Sequence, residues 1–101
     1  MLEMKKQMAI IMNPFLRTGP KRSRREEFKK LETFAEYLIK YQHGVIRVEN
    51  IGRRHVYEFY NYLERNKLSK NTIDKYARII TKFWEFSGRK GSCPSPNSNL
   101  H

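Results

Sequence analysis

The residues best suited to chemistry in this chain are lysines, arginines and small hydroxyl or amide side chains, and they form two groups. The first surrounds residue 23, and the second runs from residue 69 to residue 82. These side chains donate hydrogen bonds and most carry positive charge, so they suit phosphate oxygens and base edges. The candidate contact residues are Lys21, Arg22, Ser23, Arg24, Arg25, Lys29, Ser69, Lys70, Asn71, Thr72, Lys75, Arg78 and Lys82.

The second group has the spacing of one helix face. At about 100° per residue, polar and basic residues fall on one side and apolar residues on the other. The polar side is Asn71, Lys75, Arg78 and Lys82, and the apolar side is Ile73, Tyr76, Ala77, Ile80, Phe83 and Trp84. Steps of three or four residues suit a helix lying in a major groove. The plainer alternative is a solvated basic face, with Ser69 and Thr72 acting only as caps.

Both groups are placed at predicted helix starts, where free backbone N–H groups and partial positive charge favour anions. The net charge of +11 and the pI near 10.0 also indicate a polyanionic partner. Double-stranded nucleic acid is the first candidate, and an acidic membrane surface is the second.

Catalytic and metal-binding patterns are missing from the sequence. Glu26 and Glu27 are neighbours on a predicted helix and point in different directions, unlike a carboxylate pair built for acid–base work. The histidines at 43, 55 and 101 have no zinc-site spacing with Cys93. There is no glycine-rich phosphate loop and no nucleophile motif. We therefore expect no catalytic residue, metal or cofactor in this chain.

The compartment is predicted from the cysteine content and the apolar runs. A single cysteine cannot form an internal disulfide and fits a reducing cytoplasm. No apolar run approaches the roughly 20 residues of a membrane span. The short run at residues 8–12 is also below the length of a signal-peptide core. We expect a cytoplasmic protein without a membrane partner.

Four helices and no strand are predicted. The first covers about residues 2–12 and is limited by Pro14. The second opens with a Ser23–Glu26 capping box and ends near Gly44. Its expected buried residues are Phe28, Leu31, Phe34, Ala35, Leu38 and Tyr41.

The third and fourth helices follow after a loop. Residues 45–50 alternate like a strand but have no partner strand, so we predict a loop pinned to the core. The third helix, about residues 53–66, is capped by Asn50 or Gly52 and buries Val56, Phe59, Tyr60 and Leu63. The fourth has Ser69 as its N-cap and ends at about residue 87. Residues 1–88 form the predicted domain, and residues 89–101 are expected to be a linker or disordered tail.

The stretch LSKNTIDKYARIITKFWEF resembles the core-binding domain of tyrosine recombinases of the phage-integrase type. It is similar to that family's order of Ser, Thr three residues later, Tyr four further on, and an apolar-aromatic end. IGRRHVYEFYNYLERNKLS resembles the preceding helix, and FKKLETFAEYL resembles the earlier DNA-facing helix. The resemblance covers about residues 2–88. Arg24 departs from it, because it stands where the family's threonine would be by analogy with Thr72.

The resemblance implies a small, SAM-like helical bundle that forms half of a clamp around recombination-site DNA, with two helices facing the major groove. It implies a catalytic domain later in the parent chain, and other recombinase protomers as partners on the DNA. Strand cleavage and rejoining would belong to that catalytic domain, so this chain alone is expected not to be an enzyme.

Two other functions remain open. Residues 53–87 could form a helix-turn-helix pair in a DNA-binding regulator without catalysis. Alternatively, the chain could be a helical protein-interaction module whose basic charge is incidental.

Overall fold

Four main helices and two short helical segments make up the secondary structure in the computed structural model, which describes residues 4–41, 48–88, 91, 93, 94 and 96. The elements are α1 (Met4–Ile11), α2 (Asn13–Leu16), α3 (Lys21–Tyr41), a 3-10 turn (Val48–Asn50), α4 (Arg53–Arg65) and α5 (Lys70–Phe86). All elements in these ranges are helical, so the predicted all-α fold class with four main helices is confirmed.

One hydrophobic core lies between the main helices. Phe34 of α3 meets Phe59 of α4 with ring centroids 5.0 Å apart, and Phe59 meets Tyr76 of α5 at 5.7 Å. Every buried side chain in the described ranges is hydrophobic. The stripes predicted for the third and fourth helices are confirmed, except that Tyr76 is only half-buried. Burial of this aromatic surface is what holds the helices in a fixed arrangement.

The N-terminal residues form two consecutive helices. Met4, Met8 and Met12 are buried, and their spacing of four residues places them on one side of the helical segment. Helix α1 ends at Ile11, close to the predicted end, and Pro14 falls in the first turn of α2, where its missing N–H has no partner to lose. Phe15 of α2 is buried and approaches Phe86 at the end of α5. The N-terminal segment is thereby packed against the last helix.

The capping box predicted at Ser23 is wrong. Helix α3 begins at Lys21, and the N–H of Arg24 donates to the carbonyl of Pro20 at 3.0 Å. Pro20 has a fixed φ close to that of a helix, and α3 begins three residues earlier than Ser23 as N-cap would place it. Ser23 therefore lies within the first turn of α3, and its side chain is exposed.

The end of α3 also differs from the prediction. Tyr41 was expected in the core but is 47% exposed. Its ring packs beside Tyr37 and Tyr62, at centroid distances of 5.3 and 5.5 Å, and forms an aromatic patch at the surface. The predicted cap at Gly44 and the loop residues 45–47 lie outside the described residues. Val48 is buried and its N–H donates to Gln7, so this end of the loop is pinned to the core.

Helices α4 and α5 have well-defined starts. Gly52 is the N-cap of α4, and its N–H donates to His55 Nδ1 at 2.8 Å. Ser69 is the N-cap of α5, where its Oγ accepts a hydrogen bond from the N–H of Thr72 at 3.2 Å. This confirms Ser69 and selects Gly52 from the two predicted caps. Helix α5 ends at Phe86, and Gly88 follows with φ of 73°.

The described residues after α5 lie against the bundle. Trp84 Nε1 donates to the Gly91 carbonyl at 3.2 Å, and the Tyr60 hydroxyl donates to the Pro94 carbonyl at 3.1 Å. Pro94 is buried, and Cys93 packs on the core. The domain boundary at residue 88 stays a prediction.

Candidate nucleic-acid interface

The exposed face of α5 carries the basic stripe expected from the sequence. Asn71, Lys75, Arg78 and Lys82 are all exposed, whereas Ile73 on the opposite side is buried. Apolar contacts with α3 and α4 fix the rotation of α5, so its cationic side is turned to solvent by the same packing that buries the other side. The stripe is thus a property of the fold.

The start of α5 is suited to an anion. Ser69 Oγ and Thr72 Oγ1 lie 2.9 Å apart, and the first turn contains no acidic residue. Lys70 and Asn71 beside them are exposed. Backbone N–H groups at this end have no acceptor within the helix, and the helix dipole adds partial positive charge.

The start of α3 is a second dense basic segment. Within residues 21–30 there are six lysines and arginines and two glutamates, and the first turn again has no acid. Lys21, Arg22, Arg25 and Lys29 are exposed. Among the described residues, these four side chains have no ion-pair partner. Their charge is therefore available to a ligand.

The two basic segments meet at a cleft between α3 and α5. This cleft has a volume of about 300 Å³ and is lined by Ser23, Glu26, Glu27, Lys30, Lys75 and Arg78. Donors from two helices converge there on one concave surface, which an elongated anion could contact from both sides. We call it the basic cleft.

A second cleft of about 550 Å³ continues along α5. Arg24 and Glu27 from α3 line it, and so do Arg78, Lys82 and Glu85 from α5; the remaining lining residues are Phe15, Asp74, Ala77, Thr81 and Pro96. Arg78 lines both clefts, so they share one wall. The charge along this wall is mixed, because three basic and two acidic residues line the basic cleft and three basic and three acidic residues line the second one.

The two helix starts do not lie side by side. Arg24 shares a cleft with Lys82 and Glu85 near the end of α5, whereas Lys30 shares one with Lys75 nearer its start. Later positions in α3 therefore lie beside earlier positions in α5, and Ser69 lines neither cleft. The structure brings together the start of α3 and the flank of α5, and it leaves the Ser69–Thr72 turn as a separate basic feature.

Arg24 differs from the other candidate residues because it has partners inside the domain. Its Nε donates to the Thr18 carbonyl at 2.9 Å, and its guanidinium carbon lies 4.4 Å from the centre of the Phe15 ring. Nη1 is also 3.6 Å from a carboxylate oxygen of Glu27. A Cβ at Gly19 would lie 3.0 Å from this guanidinium, so glycine leaves room for it. These contacts hold α2 against the start of α3.

Three residues in the basic cleft, Glu26, Glu27 and Lys30, were not among the sequence candidates. Lys30 and Glu26 line it beside Ser23, at helical spacings of seven and three residues. The periodicity of α3 carries this signal. The sequence alone does not show which side of α3 lies beside α5, so these residues could not be assigned to the interface before the packing was known.

The described residues contain no group of three or more His, Cys, Asp or Glu side chains that could hold a metal ion. His43 and His101 lie outside these ranges. Burial raises the pKa of the Cys93 thiol, so this cysteine is poorly suited to react as a thiolate. None of the helices that the structure describes has both the length and the apolar character needed to cross a bilayer.

Comparison with known proteins gives one match. The family model for the phage integrase SAM-like domain matches residues 10–95, which include every residue lining the basic cleft. No curated protein and no solved structure matches the chain. Because the matched span covers most of the 101 residues, this chain belongs to the phage integrase SAM-like domain family.

Proposed function

We propose that this domain is the DNA-binding, core-binding domain of a tyrosine recombinase and that it grips duplex DNA at the recombination site. Family membership supports the general role. The observation that carries the proposal is the basic cleft, where Ser23 and Lys30 of α3 face Lys75 and Arg78 of α5. A duplex presents closely spaced phosphates along its groove edges, and donors from two helices match that layout.

The candidate residues divide by role. Exposed lysines and arginines of α3 and α5 contact phosphates, which gives affinity that depends on salt. Asn71, at the start of the exposed stripe, and Arg78, further along it, have side chains suited to base edges. Ser69 caps α5, and its hydroxyl and that of Thr72 lie beside the helix start that a phosphate would contact. Arg24 acts as a positioning residue for the start of α3, through its contacts with Thr18 and Phe15.

In this proposal, strand cleavage and rejoining belong to a catalytic domain elsewhere in the parent protein, which forms the other half of the clamp. Other recombinase protomers are partners on the same DNA, and the domain itself needs no cofactor. Without the other half of the clamp, the isolated domain loses effective concentration. Its affinity should then be in the micromolar range or weaker, close to non-specific binding.

A helix-turn-helix regulator is the competing function. Helices α4 and α5 are joined by the four residues 66–69, a connection short enough for such a pair. In that arrangement α5 alone would read the groove, and the basic start of α3 would make no contribution to affinity. The two functions therefore differ in what the α3 residues do.

The test measures duplex binding by charge-neutralised variants, with fluorescence anisotropy as the readout, at several salt concentrations. Replacing the α5 stripe with Lys75→Gln, Arg78→Gln and Lys82→Gln should lower affinity at least tenfold. It should also reduce the slope of log K against log salt by about 0.9 for each lost phosphate contact. A matched control, Lys6→Gln, Lys40→Gln and Arg65→Gln, removes the same charge from exposed residues outside both clefts.

The control variant should lose much less affinity than the α5 variant. Equal losses would mean that only net charge matters, which contradicts a defined interface. A third variant, Lys30→Gln, removes the basic side chain with which α3 lines the basic cleft and separates the two DNA-binding functions. Its affinity should also fall strongly for a two-helix grip, and unchanged affinity would favour the helix-turn-helix regulator.

A further inference from the structure

We propose that Glu26 reads a base in the major groove, by accepting a hydrogen bond from the amino group of a cytosine. This inference rests on the proposed DNA-binding function and extends it from affinity to sequence preference. It assigns a role to one of the two acidic side chains that line the basic cleft.

The position of Glu26 is the first observation. Its side chain is exposed and lines the basic cleft together with Ser23 and Lys30, which are three residues before it and four after it on α3. Lys75 and Arg78 line the same cleft from α5. A duplex held by those cations would therefore bring its groove within reach of the Glu26 carboxylate.

The pairing of the two neighbouring glutamates is the second observation. Glu27 has an ion-pair partner in Arg24, at 3.6 Å, so its charge is used within the domain. Glu26 has no ion-pair partner among the residues that the structure describes. An unpaired carboxylate in the cleft repels phosphates and weakens non-specific binding.

The chemistry of the groove selects the base. A carboxylate only accepts hydrogen bonds, and the major groove offers amino donors from cytosine N4 and adenine N6. In adenine the acceptor N7 lies beside the amino group and would repel a second carboxylate oxygen. Cytosine has no such neighbour, so it fits Glu26 better. Arg78, on the other wall, has the donors that suit O6 and N7 of a guanine.

A simpler role for Glu26 is charge balance near the start of α3, where a carboxylate also favours the helix dipole. The two roles predict different results when the carboxylate is removed. A balancing charge affects all duplexes equally, whereas a base-reading residue changes the preference among sequences.

The experiment is selection from a pool of random duplexes with the wild-type domain, followed by affinity measurements on the selected duplex. Changing one C·G pair to T·A should weaken wild-type binding about tenfold, as expected for one mismatched base pair. Glu26→Ala should bind these two duplexes within twofold of each other and should bind non-specific duplex more tightly than wild type. Glu26→Gln should prefer adenine at that position, because an amide matches N6 and N7 together.

The control is Glu64→Ala, which removes an exposed carboxylate on α4, outside the basic cleft. It should keep the cytosine preference. The inference is overturned if the wild type binds duplex without a cytosine preference, or if Glu26→Ala and Glu26→Gln keep that preference. Absence of any duplex binding by the wild type would instead overturn the proposed function, and this inference with it.

Discussion

The Tyr60 hydroxyl joins α4 to the segment that follows α5. It donates to the Pro94 carbonyl at 3.1 Å and is buried. Burial is the main cause that raises the pKa of the Tyr60 phenol above its usual range, and the nearby Cys93 and Tyr57 act in the same direction. The Tyr60 phenol therefore has to stay neutral for the segment around Pro94 to remain packed against α4.

Replacing Tyr60 with Phe should lower the free energy of unfolding by about 1 kcal/mol at neutral pH, because one hydrogen bond is lost and the Pro94 carbonyl keeps only the weak thiol donor of Cys93, at 3.5 Å. In the wild type, the unfolded chain loses the Tyr60 proton above about pH 10 while the folded domain keeps it. Stability from this group is therefore present below pH 10 and falls as pH rises further. Urea unfolding at pH values from 7 to 11, monitored by Trp84 fluorescence, measures both effects.

The difference between wild type and Tyr60→Phe should be constant below about pH 9 and shrink above about pH 10. Burial also raises the pKa of Cys93, and Cys93 interacts with Tyr60, so both proteins carry Cys93→Ala in this comparison. Parallel curves over the whole pH range would contradict the role of the buried phenol.

At the scale of elements, the helix starts show which local signals decide structure. Ser69 was predicted as a cap and is one, because its hydroxyl reaches the Thr72 N–H without competition. Ser23 was predicted as a cap and is not, because the helix already begins at Lys21, where the Pro20 carbonyl accepts a hydrogen bond from the N–H of Arg24. Both serines are followed by residues that suit a helix start. The sequence pattern alone therefore does not show whether the serine or a preceding proline sets the first residue of the helix.

Two substitutions at Ser69 separate capping from DNA contact. Ser69→Ala should lower the free energy of unfolding by about 1 kcal/mol, because the N–H groups of the first turn of α5 lose their side-chain acceptor. Ser69→Asp should keep the stability of the wild type, because aspartate caps equally well and its charge favours this helix end. Thermal unfolding checks both values.

In duplex binding, Ser69→Asp should weaken affinity severalfold at low salt, because its carboxylate repels a phosphate docked at the helix start. The same comparison at high salt serves as the control, since screening should remove most of the difference. Unchanged affinity at low salt would show that Ser69 only caps α5.

At the scale of the whole molecule, the hydrophobic periodicity of the sequence was sufficient for the helices and most of the core. The basic stripe of α5 was also predictable, because one helix face follows from spacing alone. The position of α3 relative to α5 was not. It depends on the packing of Phe34, Phe59 and Tyr76 around one core, and only this packing places Lys30 and Glu26 beside Arg78.

Long-range packing also explains the role of Arg24. In the sequence it is one of several adjacent arginines, and nothing local separates it from Arg25. In the fold, the buried Phe15 and the Thr18 carbonyl lie beside it, and its guanidinium is used within the domain. Tertiary contacts therefore decide which of the basic residues remain available to a ligand.

The most direct test of the central claim is an amide chemical-shift titration of the domain with duplex DNA. We predict that perturbations cluster at residues 21–30 of α3 and at residues 69–82 of α5, and that they weaken as salt is added. Three results would contradict a duplex gripped at the basic cleft. They are perturbations confined to α4 and α5, perturbations centred on the aromatic patch of Tyr37, Tyr41 and Tyr62, and no perturbation at low salt.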